Sequence, residues 1–166
     1  MDYISAPWRA EYVKRVYRMK GCIFCQALKV DSEEALILLK AEYNFIMLNK
    51  YPYTPGHLLI APKTHLDSIE KASKPATDEM TDLLKIALGI LRDKYSPQGF
   101  NTGMNIGQSG GAGVTGHFHL HVIPRWAGDS NFMPLIGKTR VVIEDLEETF
   151  AGLHPLFLNV EKTPAG

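Results

Sequence analysis

From His117 to Val122 the chain alternates without a slip: His117, His119 and His121 hold every second position, and Phe118, Leu120 and Val122 each follow one of them. Successive side chains of a β-strand point to opposite faces, so this pattern specifies a strand with one apolar face and one imidazole face. The apolar face needs a layer to pack on. The imidazoles need hydrogen-bond partners, because every buried ring brings polar nitrogens with it. The chain holds 6 histidines, so half of them fall in this one window. Histidine is the side chain best suited to nucleophilic, acid–base and metal work near neutral pH. A half-exposed strand rich in histidine by chance is the plainer alternative, and the clustering favours chemistry.

The remaining segments supply the layers. Runs 35–40, 45–49 and 58–62 read as short strands from their apolar and β-branched content. Between 77 and 94 the period changes to that of a helix. Met80, Leu83, Leu84, Ala87, Leu88 and Leu91 recur at steps of three and four, with Thr77 as N-cap and Asp78 and Glu79 at the positive helix end. Pro97 blocks continuation. Residues 100–106 read as a strand, 108–113 as a Gly-rich loop leading into the histidine strand, and 143–153 as a last helix. Antiparallel strands with one long helix on a face make an α+β architecture. No repeat, low-complexity tract or linker divides the 166 residues. One domain over 1–166 is expected, with 1–20 as an N-terminal extension and 132–166 as a C-terminal tail and helix.

Charge and composition exclude some classes of partner. Eighteen basic residues cancel eighteen acidic ones, so no global field draws the chain to nucleic acid or a membrane surface. No apolar run approaches the roughly 20 residues of a membrane span, and the N-terminus lacks the apolar core of a signal peptide. With 2 cysteines and no export signal, a reducing cytoplasm is the expected location.

Both cysteines stand in Gly21-Cys22-Ile23-Phe24-Cys25. A lone Cys-x-x-Cys is compatible with half of a zinc site, a redox pair or two unliganded thiols. Without a second such pair, zinc would need two histidines from elsewhere to complete a Cys₂His₂ tetrahedron. The loop Asn105-Ile106-Gly107-Gln108-Ser109-Gly110-Gly111-Ala112-Gly113-Val114-Thr115 lacks the Gly-Lys-Ser/Thr ending of a P-loop. Its glycines would let main-chain N–H groups converge on an anion, which makes it the expected phosphate cradle, with Asn105, Gly113 and Thr115 among its contacts. Arg125 reads equally as a phosphate contact or as one half of an ion pair.

His-x-His-x-His followed by two apolar residues resembles the signature of the histidine triad superfamily of nucleotidyl hydrolases and transferases. Two further segments agree with it in order and spacing. Phe45-Ile46-Met47-Leu48-Asn49-Lys50-Tyr51-Pro52, followed by Pro55-Gly56-His57-Leu58-Leu59-Ile60-Ala61-Pro62-Lys63-Thr64-His65, is similar to that family's strand–turn–strand. Ile123-Pro124-Arg125-Trp126-Ala127-Gly128-Asp129 continues the likeness downstream, so the similar portion runs from about residue 22 to about 131.

The resemblance implies roles. His119 would be the nucleophile, forming a nucleotidylyl-histidine that splits one displacement into two. His121 would donate to a non-bridging phosphate oxygen and also contact substrate. Asn49 would bind ribose hydroxyls, and Gln108 the phosphate chain. The zinc-containing members imply Cys22, Cys25, His65 and His117 as ligands of a structural zinc, with no position left open for water. Magnesium is expected only as a companion of a polyphosphate substrate. Histidine at 121 argues against the uridylyltransferase branch, where glutamine is usual. The long segment after the triad resembles the dinucleoside polyphosphate hydrolases and phosphorylases, and implies cleavage of diadenosine polyphosphates such as diadenosine tetraphosphate. The alternatives are a zinc-stabilised purine-nucleotide binder with a sensing or partner role, and a nucleoside phosphoramidase. Relatives pair through the long helix and a neighbouring strand, so a homodimer is expected, with a small nucleotide as substrate.

Overall fold

Five strands pair antiparallel in one sheet, and its two faces carry separate cores. The computed structural model describes residues 21–129 and 145–160. In chain order the elements are α1 (Ile23–Ala27), β1 (Ile37–Lys40), β2 (Asn44–Leu48), β3 (Leu58–Pro62), α2 (Lys74–Tyr95), β4 (Gly99–Met104), β5 (Leu120–Arg125) and α3 (Leu146–Val160). A 3₁₀ turn, Ile69–Lys71, precedes α2. The strands lie in the order β1-β2-β3-β5-β4, which puts β3 and β5, the two strands that frame the histidines, side by side. The expected α+β architecture is the one observed. None of the described helices is long and apolar enough to cross a membrane.

Alternation sorts the strand residues between the faces. Ile46 and Leu48 of β2, Leu58 and Ile60 of β3, and Leu120 and Val122 of β5 join Phe118 in the core beneath α2 and α3. Phe45, Met47, Leu59 and Ala61 face the other way, against Phe24 and Ala27 of α1. Leu59 pairs directly with His121, and Leu58 with Val122. The register therefore places His121 on the α1 face, while the apolar set that alternates with the histidines packs beneath α2.

Several boundaries differ from those read in the sequence, each for a local reason. The expected strand over 35–40 begins only at Ile37, because Leu36 takes a left-handed φ of 58° and the register shifts between Ile37 and Leu39. The long helix starts before Thr77: Ser73 is the N-cap, its side chain accepting from the Ala76 N–H at 3.4 Å, with Pro75 in the first turn. Proline in the first turn lacks only an N–H that has no helical partner there. The helix stops at Ser96, itself left-handed at φ 46°, just ahead of Pro97. The final helix runs on to Val160 through Pro155, and the expected start at 143 lies outside the described residues. Of the three triad histidines only His121 falls inside β5. His117 and His119 precede it, and between them the Phe118 N–H donates to Leu66 O at 2.7 Å, outside the sheet.

Glu79 ties α2 to the β1–β2 turn. Its carboxylate accepts from the N–H of Glu42 (2.9 Å), Tyr43 (2.9 Å) and Asn44 (2.7 Å), and from the Asn44 side-chain amide at 2.8 Å. Asn44 is fully buried. Hydrogen bonds to a charged acceptor are among the stronger ones, and removing the acceptor leaves donors without partners. Glu79→Ala is expected to lower unfolding free energy by about 2–3 kcal/mol, discounted for the partial access of water to Glu79. Urea denaturation checks this; a change under about 0.5 kcal/mol would show that water replaces the carboxylate at no cost.

Candidate active site and metal centre

Main-chain carbonyls fix the protonation of two of the triad histidines, His117 and His119. Pro62 O lies 2.8 Å from His117 Nε2. A carbonyl only accepts, so that nitrogen carries the proton and Nδ1 keeps its lone pair. His119 has the opposite arrangement: its Nδ1–H donates to His117 O at 3.1 Å, leaving the lone pair on Nε2. Burial lowers the His119 pKa, and the bond to the carbonyl opposes that shift only in part, so the ring is neutral at pH 7. Burial also lowers His117, first among its causes.

His121 is set through a residue that sequence reasoning passed over. The Tyr53 N–H donates to His57 Nδ1 at 3.0 Å, so the His57 proton resides on Nε2. From there it is donated to His121 Nδ1 at 2.9 Å. His121 in turn carries its own proton on Nε2. His57 is 1% exposed and immediately precedes a strand whose five residues are all buried. A histidine entering such an apolar run was the available signal, because a buried imidazole needs a polar reason to be there. Gly56 lets the turn reach it: φ is +70°, and a Cβ would come within 3.0 Å of Leu91 and Tyr95. The Tyr53 ring stacks on His57 at 5.0 Å.

His119 and His121 lie with ring centroids 4.8 Å apart. A neutral imidazole with a bare nitrogen thus neighbours one bearing an N–H. Chemically the pair can attack an electrophilic phosphorus from one ring and donate to its oxygens from the other.

The four expected metal ligands converge from three places in the chain. Cys22 Sγ is 3.3 Å from His117 Nδ1, Cys25 Sγ is 3.3 Å from His65 Nδ1, and Cys25 Sγ is 3.7 Å from His117 Nδ1. All four donor atoms lie within 4.8 Å of one another. Zinc bonds of about 2.3 Å to sulfur and 2.0 Å to nitrogen set neighbouring donors of a tetrahedron about 3.5 Å apart, so the spacing fits. The bare nitrogen of His117 faces the thiols, which is the tautomer a metal requires. Among the described residues no second grouping of three or more such side chains occurs, so the expected magnesium has no protein ligand set there.

The other expected contacts are placed less completely. Asn49 Oδ1 accepts from the Tyr51 N–H at 2.9 Å, and Nδ2 lies 3.4 Å from both ring nitrogens of His57. Asn49 is therefore beside the histidines, with its carbonyl already used in a local turn. Asn105 and Gly113 are half-buried, while Gln108 and Thr115 are exposed in the loop before the triad. Two N–H groups of that loop fold back on it, Gly111 to Gln108 O and Ala112 to Gly107 O. Those two N–H groups are engaged within the loop itself. Gly110 serves close packing, since a Cβ there would lie 2.3 Å from Ile106 O. Arg125 is held by Asp129, with Nη2 donating at 2.8 Å, and by Asn101 Oδ1 at 2.6 Å. Of its two readings, the ion pair is the one observed.

A model of the HIT domain matches residues 31–128. The chain is 33% identical over 126 residues to an AP-4-A phosphorylase of Mycobacterium tuberculosis, an alignment covering 76% of this chain and 65% of that protein. It is 34% identical over 114 residues to Protein hit of Bacillus subtilis, covering 68% of this chain and 77% of that one. Among solved structures, a Zn-bound histidine triad family protein from Mycobacterium smegmatis superposes with a TM-score of 0.67 at 23% identity, covering 86% of this chain and 96% of that one.

Proposed function

The chain belongs to the HIT domain family, and from that membership we propose that it cleaves diadenosine polyphosphates through a nucleotidylyl-histidine intermediate. The observation that carries this is the hydrogen-bond setting of the two rings, His119 Nδ1 on the His117 carbonyl and His121 Nδ1 on His57, which leaves a bare Nε2 beside a ring whose Nε2 bears the proton. His119 Nε2 attacks a phosphorus, the N–P bond forms, and the P–O bond to the leaving nucleotide breaks. The ring becomes cationic because both nitrogens are then substituted, and the carbonyl of His117 faces the positive N–H. His121 donates to a non-bridging oxygen as negative charge builds there. Attack on the intermediate by water or phosphate returns His119 to its bare state. Asn49, Asn105, Gln108, Gly113 and Thr115 are the proposed nucleotide and phosphate contacts. The similarity to an AP-4-A phosphorylase supports the dinucleotide substrate.

Incubating the protein with diadenosine tetraphosphate, with and without phosphate, tests the proposal. AMP plus ATP indicates hydrolysis, and ADP plus ATP indicates phosphorolysis. Unchanged substrate in both reactions would defeat it. Replacing His57 by Phe removes the donor to His121 and leaves that ring free to take either tautomer. Turnover is expected to fall about tenfold with KM nearly unchanged, read from steady-state kinetics.

Zinc would be held by Cys22, Cys25, His65 and His117, bonding the α1 turn to the sheet. It would supply cross-linking alone, because four protein ligands would close the shell. A cytoplasmic setting, where thiols stay reduced, suits such a site.

A homodimer is proposed from α2 and β4. Met80, Leu83, Ala87 and Leu91 are buried within the chain, whereas Leu84 and Leu88 of the same stripe remain half-open. β4 is an edge strand with exposed Asn101, Thr102 and Gly103, and pairing would cover that edge. Light scattering should give about twice the 18.5 kDa of one chain. A monomer with full activity would disprove it.

A further inference from the structure

We propose that Phe24 is a positioning residue for the nucleophile, its ring wedged against both His117 and His119 from within the Cys22–Cys25 turn. The inference rests on the assignment of His119 as nucleophile. Phe24 is fully buried. Its ring centroid lies 5.0 Å from His117, tilted by 46°, and 4.8 Å from His119, tilted by 39°. It also packs edge-on against Phe45 at 6.4 Å, which backs it with the apolar core of the α1 face.

The hydrogen bond of His119 to His117 O fixes one ring atom and no more. An imidazole held at a single point can still rock about that point, and rocking carries Nε2 away from the line of attack. Two rings restrict it, His121 at 4.8 Å and Phe24 at 4.8 Å. A misplacement of about 1 Å can cost about a hundredfold in rate, so a close-packed wedge has a kinetic consequence. Phe24 stands between the two thiols in sequence and touches the histidine those thiols face. The metal turn and the nucleophile therefore share one packing partner.

The test compares Phe24→Leu with Phe157→Leu, a fully buried phenylalanine of the opposite core. Metal content, kcat, KM and histidine ¹⁵N resonances are measured on each folded protein. Phe24→Leu is expected to lower kcat about tenfold with KM within about threefold, to keep its metal, and to turn the single Nδ1–H signature of His119 into a broadened or mixed one. Phe157→Leu should lose thermal stability and leave kcat and the His119 resonances unchanged. If Phe24→Leu cannot be purified folded, Phe24→Met, which keeps more of the volume, takes its place. Wild-type kcat with unaltered His119 resonances would overturn the inference. So would a change confined to KM, which would make Phe24 a nucleotide contact. An activity loss that follows metal loss, or an equal kcat loss in Phe157→Leu, would also overturn it. If the wild type turns over no dinucleotide, the catalytic proposal fails, and the resonances still decide whether Phe24 holds the ring.

Discussion

His119→Ala is expected to lower turnover of diadenosine tetraphosphate by about 10⁴-fold or more while nucleotide affinity stays within about tenfold. The asymmetry follows from where the ring sits. His119 is 6% exposed and bonded to the main chain, so its removal deletes the attacking nitrogen and few of the surfaces on which a nucleotide would rest. His121 retains its donor from His57 in the variant, which keeps the neighbouring site formed. Steady-state kinetics with direct binding of a non-hydrolysable analogue measures both quantities. Wild-type-like activity would end the covalent mechanism. Rescue of a His119→Gly variant by free imidazole would support it, since the added ring restores only the nucleophile.

The second large effect concerns the metal. Purified without chelators, the protein should hold about one zinc per chain, and Cys22→Ala should lower the melting temperature by at least about 10 °C. The ligands join α1, the segment after β3 and the turn before β5, regions far apart in sequence. Losing the ion with Cys22 would leave the three ligand atoms of Cys25, His65 and His117 crowded without their common partner, and burial already raises the Cys25 thiol pKa. Turnover at 25 °C should fall less than about tenfold, because the proposed nucleophile, His119, is not one of the four metal-facing side chains. Metal analysis and calorimetry check the site. Protein free of zinc, or catalysis that stops on zinc removal with the fold intact, would respectively remove the metal from the structure or make it a catalytic ion.

Much of the architecture was legible because it is periodic. The 58–62 strand matches β3 residue for residue. The alternating histidine run placed Phe118, Leu120 and Val122 in one core, and the helical stripe identified Met80, Leu83, Ala87 and Leu91 as buried. What failed locally failed where one or two residues outweigh the apolar pattern. Leu36 at positive φ delays β1, and Ser73 ahead of Lys74-Pro75 starts α2 earlier than the apolar pattern does. For the Gly-rich loop, glycine content announces main-chain freedom without saying which N–H groups the loop itself consumes, here those of Gly111 and Ala112.

The sequence by itself determined which side chains share a face, since strand and helix periods are properties of the local backbone. It also placed the chemically capable residues in one neighbourhood, through three motifs in fixed order. Only the tertiary structure decided what each histidine can do. Whether a ring offers a lone pair or a proton depends on the group facing its other nitrogen. Those groups are Pro62 O for His117, His57 for His121 and, through the turn, the Tyr53 N–H for His57. The first two partners are brought together by the antiparallel pairing of β3 with β5, which sets residues some sixty positions apart within 3 Å. No local pattern encodes that register. It is selected by the packing of both sheet faces at once, and the protonation of the site follows from it.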